Sequence, residues 1–225
     1  MTGTLVNTGA VLLGSAIGIS MGTYIPERIK TVLMQALGLA VIVVGLKMAL
    51  SGTQQIAYIS CLLLGALTGE IMRIEQGVET VGHWLKKRFN SNSATFVEGF
   101  VTSSVLYLTG AMMIVGCIQD GTVGDHSTLF IKSLLDGVAS IALASSLGIG
   151  VAFSALSVFI VQGFVTLLSA QLVFLQEPAV LEAVTATGGL IILGIGFNLL
   201  GFQRIRVGNF LPAILYAIIY PLLMR

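Results

Sequence analysis

Apolar residues recur along this chain in long unbroken runs, and each run is closed by a short cluster of charged, glycine-rich or proline-containing sequence. Eight such runs stand out: Leu5 to Met21, Val32 to Leu50, Ile56 to Met72, Phe96 to Ile118, Leu129 to Leu147, Val151 to Leu175, Ala183 to Phe202 and Val207 to Met224. A helix needs about 20 apolar residues to cross the hydrocarbon core of a bilayer, and these runs approach or exceed that length. They are continuously apolar and do not alternate, so they predict helices rather than barrel strands. The pattern therefore predicts an all-α, polytopic transmembrane bundle of about eight helices. Its least defined boundary is Gly148-Ile149-Gly150, where runs five and six read either as two helices or as one bent, re-entrant unit.

Charge turns the count into a topology. With eight spans, Arg28 and Lys30, then Arg73, Lys86, Lys87 and Arg88, then Arg204 and Arg206 all fall on one side of the membrane. Lys and Arg in short loops mark the cytoplasmic side, so both termini are expected outside the cytoplasm. Arg225 falls on the other side, and Lys47 and Lys132 lie inside predicted helices near it. The start, MTGTLVNTG, lacks a basic leader region and reads as part of a first spanning helix.

An internal repeat adds a second layer. A shift of 149 residues pairs Gly14 with Gly163, Ile42 with Ile191, Gly45 with Gly194, Leu50 with Leu199, Gly52 with Gly201, Gln54 with Gln203, Ile56 with Ile205 and Leu62 with Leu211. Runs one to three then correspond to runs six to eight, and equivalent members point in opposite directions. The expected layout is a 3+3 inverted repeat, common among secondary transporters. It comprises residues 1–72 as repeat one, 73–94 as a cytoplasmic loop, 95–150 as central helices four and five, and 151–225 as repeat two. Within the loop, Val78, Val81, Leu85 and Phe89 recur at near-helical spacing beside Trp84 and ahead of or among Lys86, Lys87 and Arg88. That spacing predicts a short amphipathic helix lying in the membrane interface.

Ionisable residues at membrane depth cost several kcal/mol and mark candidate functional positions. Asp136 is the foremost. It lies one turn from Lys132 on helix five and is followed by small residues including Ser140, which leave room for other backbones or a ligand. The alternative is a structural ion pair. Preceding this helix, CIQDGTVGDHST offers Asp120 and Asp125 on what reads as a glycine-rich outer turn, able to hold or funnel a cation, or simply a solvated turn. Gln162, in mid-helix beside Gly163, is the most notable of the amides Asn7, Gln35, Gln162 and Asn198, which ordinarily bridge helices. Gly14, Gly18 and Gly22 on helix one and Gly65 and Gly69 on helix three give the GxxxG spacing of close helix crossings, within the monomer or along a homodimer seam.

Composition narrows the functional classes. Of 225 residues, 56% are hydrophobic and 9% charged, too little polar surface for a soluble domain. The net charge of +1 argues against nucleic acid as a partner. Cys61 and Cys117 sit in apolar runs and read as packing residues; His83 and His126 belong to no zinc or catalytic motif. No cofactor and no enzymatic activity is expected, and the sequence assigns no metal.

The segments GTLVNTGAVLLGSAIG, TGAMMIVGCIQDGTVGDHSTLFIKSLLDGVASIALASSLGIGVAFSA and VQGFVTLL resemble the YdfK/YqgA family of bacterial inner-membrane proteins, a domain-of-unknown-function family, and the likeness covers essentially the whole chain. The resemblance implies a multi-pass protein of the bacterial inner membrane and no substrate. From the residues themselves the expected function is a transporter or channel for a small solute or cation, entering past Asp120 and Asp125 to a site near Asp136, Lys132, Ser140 and Gln162. The competing expectation is a non-transporting sensor or assembly factor that acts through its basic cytoplasmic loop on lipid or protein.

Overall fold

The computed structural model describes residues 1–202 and 205–224, and every regular element among them is helical. The ten α-helices are α1 (Thr2–Gly22), α2 (Glu27–Leu50), α3 (Gln55–Met72), α4 (Ile74–Arg88), α5 (Phe96–Leu108), α6 (Ala111–Thr122), α7 (Ser127–Leu147), α8 (Gly150–Leu167), α9 (Pro178–Leu200) and α10 (Pro212–Leu223). Short 3-10 turns lie between α8 and α9 and ahead of α10. Among the described residues six helices, α1, α2, α3, α7, α8 and α9, are long and apolar enough to cross a bilayer. Gln203, Arg204 and Arg225, which enter the repeat and the charge pattern above, lie outside the described residues.

One sequence expectation changes, and of the two readings left open at Gly148–Gly150 the structure has the one with two helices. The fourth run is not one helix: α5 and the following helix meet at a 64° bend across Thr109–Gly110, where Gly110 takes φ +118°. Only glycine adopts that backbone without strain, so the break is fixed by one residue inside an otherwise uniform apolar run, where hydropathy carries no mark of it. At Gly148–Gly150 α7 and α8 are separate helices, divided at Gly148 with φ 75°.

The chain forms two compact units. The first comprises residues 1–34, 79–108 and 112–173. Its frame is α1 laid along α7 in parallel: a Cβ on Gly14 would strike the carbonyl oxygen of Gly137, one on Gly18 that of Ile141, and one on Gly22 that of Ser145. Gly14, Gly18 and Gly22 therefore pack within the monomer, as small residues let backbones approach where lipid offers no hydrophobic drive for association. On its other side α1 runs antiparallel to α8, with Thr4 opposite Thr166 and Asn7 opposite Gln162. Helix α5 lies along α8; Gly150 sits against the backbone of Phe96, and the Ser104 hydroxyl donates to that of Ser157 at 2.9 Å.

The second unit comprises residues 35–78, 109–111 and 174–225. Within it α2 crosses α9 antiparallel, since Gly45 faces the carbonyl of Gly189 while Ile42 faces Gly196. Helix α3 crosses α10 and the turn before it in the same sense, Gly65 against Ala213 and Gly69 against the backbone of Asn209. The α2–α3 loop is tied to α9 by Glu182, whose Oε1 accepts from the Thr53 N–H at 2.5 Å, the Thr53 hydroxyl at 2.7 Å and the Tyr58 hydroxyl at 2.9 Å. At the α3–α4 junction Asn209 accepts from the Glu75 N–H at 2.7 Å, and Glu75 accepts from the Gly208 N–H at 2.6 Å.

A buried polar cluster on three helices of the first unit

Helix α7 places Lys132, Asp136 and Ser140 at successive i, i+4 positions, which project from one face of a helix. All three are buried, at 6%, 7% and 0% exposure. Lys132 Nζ donates to Asp136 Oδ2 at 2.6 Å. The same oxygen accepts from the side-chain amide of Asn7 on α1 at 2.9 Å, and that amide also donates to Oε1 of Gln162 on α8 at 2.9 Å. Asn7 is thus the hub that joins three helices. Sequence reasoning placed it only among interhelical amides; the signal that could have raised it is its register, since Asn7 and the glycines at 14 and 18 share the face of α1 that packs on α7.

The cluster extends in both directions. The Thr4 and Thr166 hydroxyls meet at 3.2 Å, with Thr166 also donating to the Gln162 carbonyl at 2.9 Å. Farther along α7 the Ser140 hydroxyl meets that of the buried Tyr107 from α5 at 2.8 Å. Two atoms at its centre have no partner among the described residues: Asn7 Oδ1, an acceptor, and Gln162 Nε2, a donor. Both residues are fully buried. A buried polar group without a hydrogen bond costs about 1–3 kcal/mol, so this pair of atoms is a place where a water, an ion or a polar solute gains two ready contacts.

Among the described residues neither outer carboxylate is hydrogen-bonded to this cluster. Helix α6 continues to Thr122, so Asp120 stands on a helix instead of the expected turn, and its side chain is fully enclosed. It closes the start of α1, accepting from the Gly3 N–H at 3.0 Å and from the Met1 amino group at 3.0 Å, as a carboxylate does at the positive end of a helix. His126 Nδ1 lies 2.7 Å from Asp120 but off the direction of a hydrogen bond. The physical reason for the change is that orphan N–H groups at a buried helix start need an acceptor, and Asp120 supplies it. Asp125 remains on the exposed turn, where its carboxylate accepts from the Ser127 N–H at 3.0 Å and from the Ser127 hydroxyl. Those two bonds hold its pKa below the usual aspartate value. Among the described residues no group of three or more His, Cys, Asp and Glu side chains is arranged to hold a metal ion.

Comparison with known proteins finds relatives that cover nearly the whole chain. It is 32% identical over 220 residues to "Uncharacterized protein YqgA" of Escherichia coli, covering 96% of this chain and 94% of that protein. It is 31% identical over 219 residues to "Uncharacterized membrane protein YdfK" of Bacillus subtilis, covering 96% and 93%. No solved structure matches. The model of the family described as "Protein of unknown function (DUF554)" matches residues 2–222. This multi-pass membrane protein, with its polar cluster enclosed by α1, α7 and α8, therefore belongs to the DUF554 family.

Proposed function

We propose that the protein moves a small polar solute or a cation across the membrane, with Asp136, Lys132, Asn7 and Gln162 as the binding site and Ser140 beside it. The observation that carries this reading is the pair of partnerless atoms, Asn7 Oδ1 and Gln162 Nε2, fully buried beside a Lys132–Asp136 ion pair. An acceptor and a donor left open beside a buried ion pair offer a polar ligand contacts that the chain itself does not fill. In this reading Asp125, exposed on the α6–α7 turn, offers charge to an arriving solute, while the enclosed Asp120 at the end of α6 fixes the start of α1.

An inverted repeat fits this reading. Helices α1, α2 and α3 correspond to α8, α9 and α10 at the offset read from the sequence, and each packs antiparallel against its counterpart, as a twofold axis in the membrane plane requires. The parallel run of α1 and α7 supports counting α5 and α6 as one broken crossing: α2, α3 and the α5–α6 pair then lie between two helices that point the same way. Counting α10 as the last crossing puts both termini on one side in this reading, and the basic loops support the outer side. Discontinuous helices of this kind line sites in many transporters.

The test is flux in proteoliposomes. Potassium, sodium and proton gradients are imposed in turn, followed by a panel of small amino acids, comparing wild type with Asp136→Asn and with Gln162→Leu. The expected result is a flux of one of these species that falls at least about tenfold in both variants while each still elutes as a folded protein. Equal flux in wild type and Asp136→Asn for the transported species removes Asp136 from the mechanism, and loss of function on neutralising Lys86, Lys87 and Arg88 alone favours the sensor reading.

A further inference from the structure

Away from the polar cluster the first unit contains an apolar groove of about 430 Å3, within the roughly 300–1,000 Å3 range of ligand sites. Its walls come from α1, α8 and the end of α4: Leu12, Leu85, Phe89, Phe153, Leu156 and Phe159. The one hydroxyl on its wall, that of Thr8, donates back to the Thr4 carbonyl at 2.8 Å and so presents no polar demand to an occupant. Phe153 is braced by Phe89 and Phe96, with ring centroids 4.7 and 5.1 Å away, which fixes the wall near α4.

The last turn of α4 brings three positive charges close to this groove. Leu85 and Phe89 line it, and Lys86, Lys87 and Arg88 are the residues between them. Trp84 beside them is 61% exposed, as an aromatic is at the level of lipid headgroups. Its lining also includes Ile149, just ahead of α8, Phe159 near the middle of α8, and Thr8 in the first half of α1. An occupant that suits both the cations and the apolar walls has an anionic head and a long apolar tail. We infer that the groove is a binding site for one acyl chain of an anionic phospholipid whose phosphate is held by Lys86, Lys87 and Arg88. The charge complementarity selects lipid over an apolar helix of another protein, which would leave the three cations unpaired beside the groove.

Native mass spectrometry of the detergent-purified full chain tests this, with phosphatidylglycerol and phosphatidylcholine of identical acyl chains added separately. Wild type is expected to retain phosphatidylglycerol in preference, and each basic residue replaced by Gln to lower that preference about fivefold, following about 1 kcal/mol per cation near an anionic lipid surface. Ala152→Trp, which fills the groove, is expected to lose bound lipid of both kinds while Lys86, Lys87 and Arg88 are intact. Thermal melts identify variants that fail to fold, and if Ala152→Trp is one of them Ala152→Leu serves in its place. Equal retention of both lipids by wild type overturns the proposal, as does undiminished lipid binding in the groove-filled variant. A dimer that dissociates in Ala152→Trp with no change in bound lipid would assign the groove to a second copy instead.

Discussion

Removing Lys132 alone should destabilise the protein more than removing Lys132 and Asp136 together. Lys132 Nζ lies 2.6 Å from Asp136 Oδ2, and neither residue exceeds 7% exposure. Lys132→Met leaves the carboxylate enclosed with one hydrogen bond, from Asn7, and without its counter-charge; stripping one partner from a buried ion pair costs about 3–5 kcal/mol. In a protein of this size about 1 kcal/mol corresponds to roughly 2–4 °C of melting temperature, so a fall of about 6–20 °C is expected. The double variant Lys132→Met with Asp136→Leu removes both charges, and buried pairs replaced by apolar residues of similar volume are often neutral or better. Here it also strips Asn7 of one acceptor, a loss of about 1 kcal/mol for a hydrogen bond between membrane helices, so the double variant should melt a few degrees below wild type and well above the single variant. The assay is size-exclusion elution after heating in detergent, followed by intrinsic fluorescence. If Lys132→Met melts with wild type, or if the double variant melts no higher than the single one, the pair is not a buried, mutually compensating pair and its assignment to the site fails.

Other positions give sharper contrasts. Gly69→Ala would drive a methyl into the backbone of Asn209 and should cost about 1–3 kcal/mol or more by overpacking, whereas Gly77→Ala on exposed α4, with open space around its Cβ position, should stabilise by up to about 1 kcal/mol; parallel melts of the two variants check both signs. Gly110→Ala places a side chain at φ +118° and should cost about 1–3 kcal/mol, read as a lowered melting temperature and a change in protease cleavage between α5 and α6. Epitope tags on the two termini should both be reached by antibody from outside intact spheroplasts, and a tag in the Ser91–Ser93 loop only after permeabilisation; termini on opposite faces would end the eight-crossing scheme. Because Asp125 has a lowered pKa in the folded protein, the support it gives to the start of α7 is present above the unfolded aspartate pKa and fades as pH falls through its folded value; Asp125→Asn should flatten hydrogen exchange at Phe130 and Ile131 across that acidic range.

Apolar run length and loop charge determined, without coordinates, that the chain is a helical membrane protein, because every backbone polar group in hydrocarbon must be bonded within its own helix. The same residues marked Asp136 and Lys132, since an acid and a base one turn apart inside such a run have a cost that composition alone reveals. The spacing of Gly14, Gly18 and Gly22 pointed to a close helix crossing, but choosing α7 as the partner took the tertiary structure, because a small-residue face fits any backbone that can approach it. The break at Gly110 was hidden for a related reason: hydropathy averages over about a full span and one backbone angle leaves no trace in it. Asp120 moved from a solvated turn to the start of α1 because the groups that needed it are 117 residues away in sequence. Asn7 became the hub only once α1, α7 and α8 were brought together, since a hydrogen-bonded cluster is a property of side chains meeting in space and no single helix carries it.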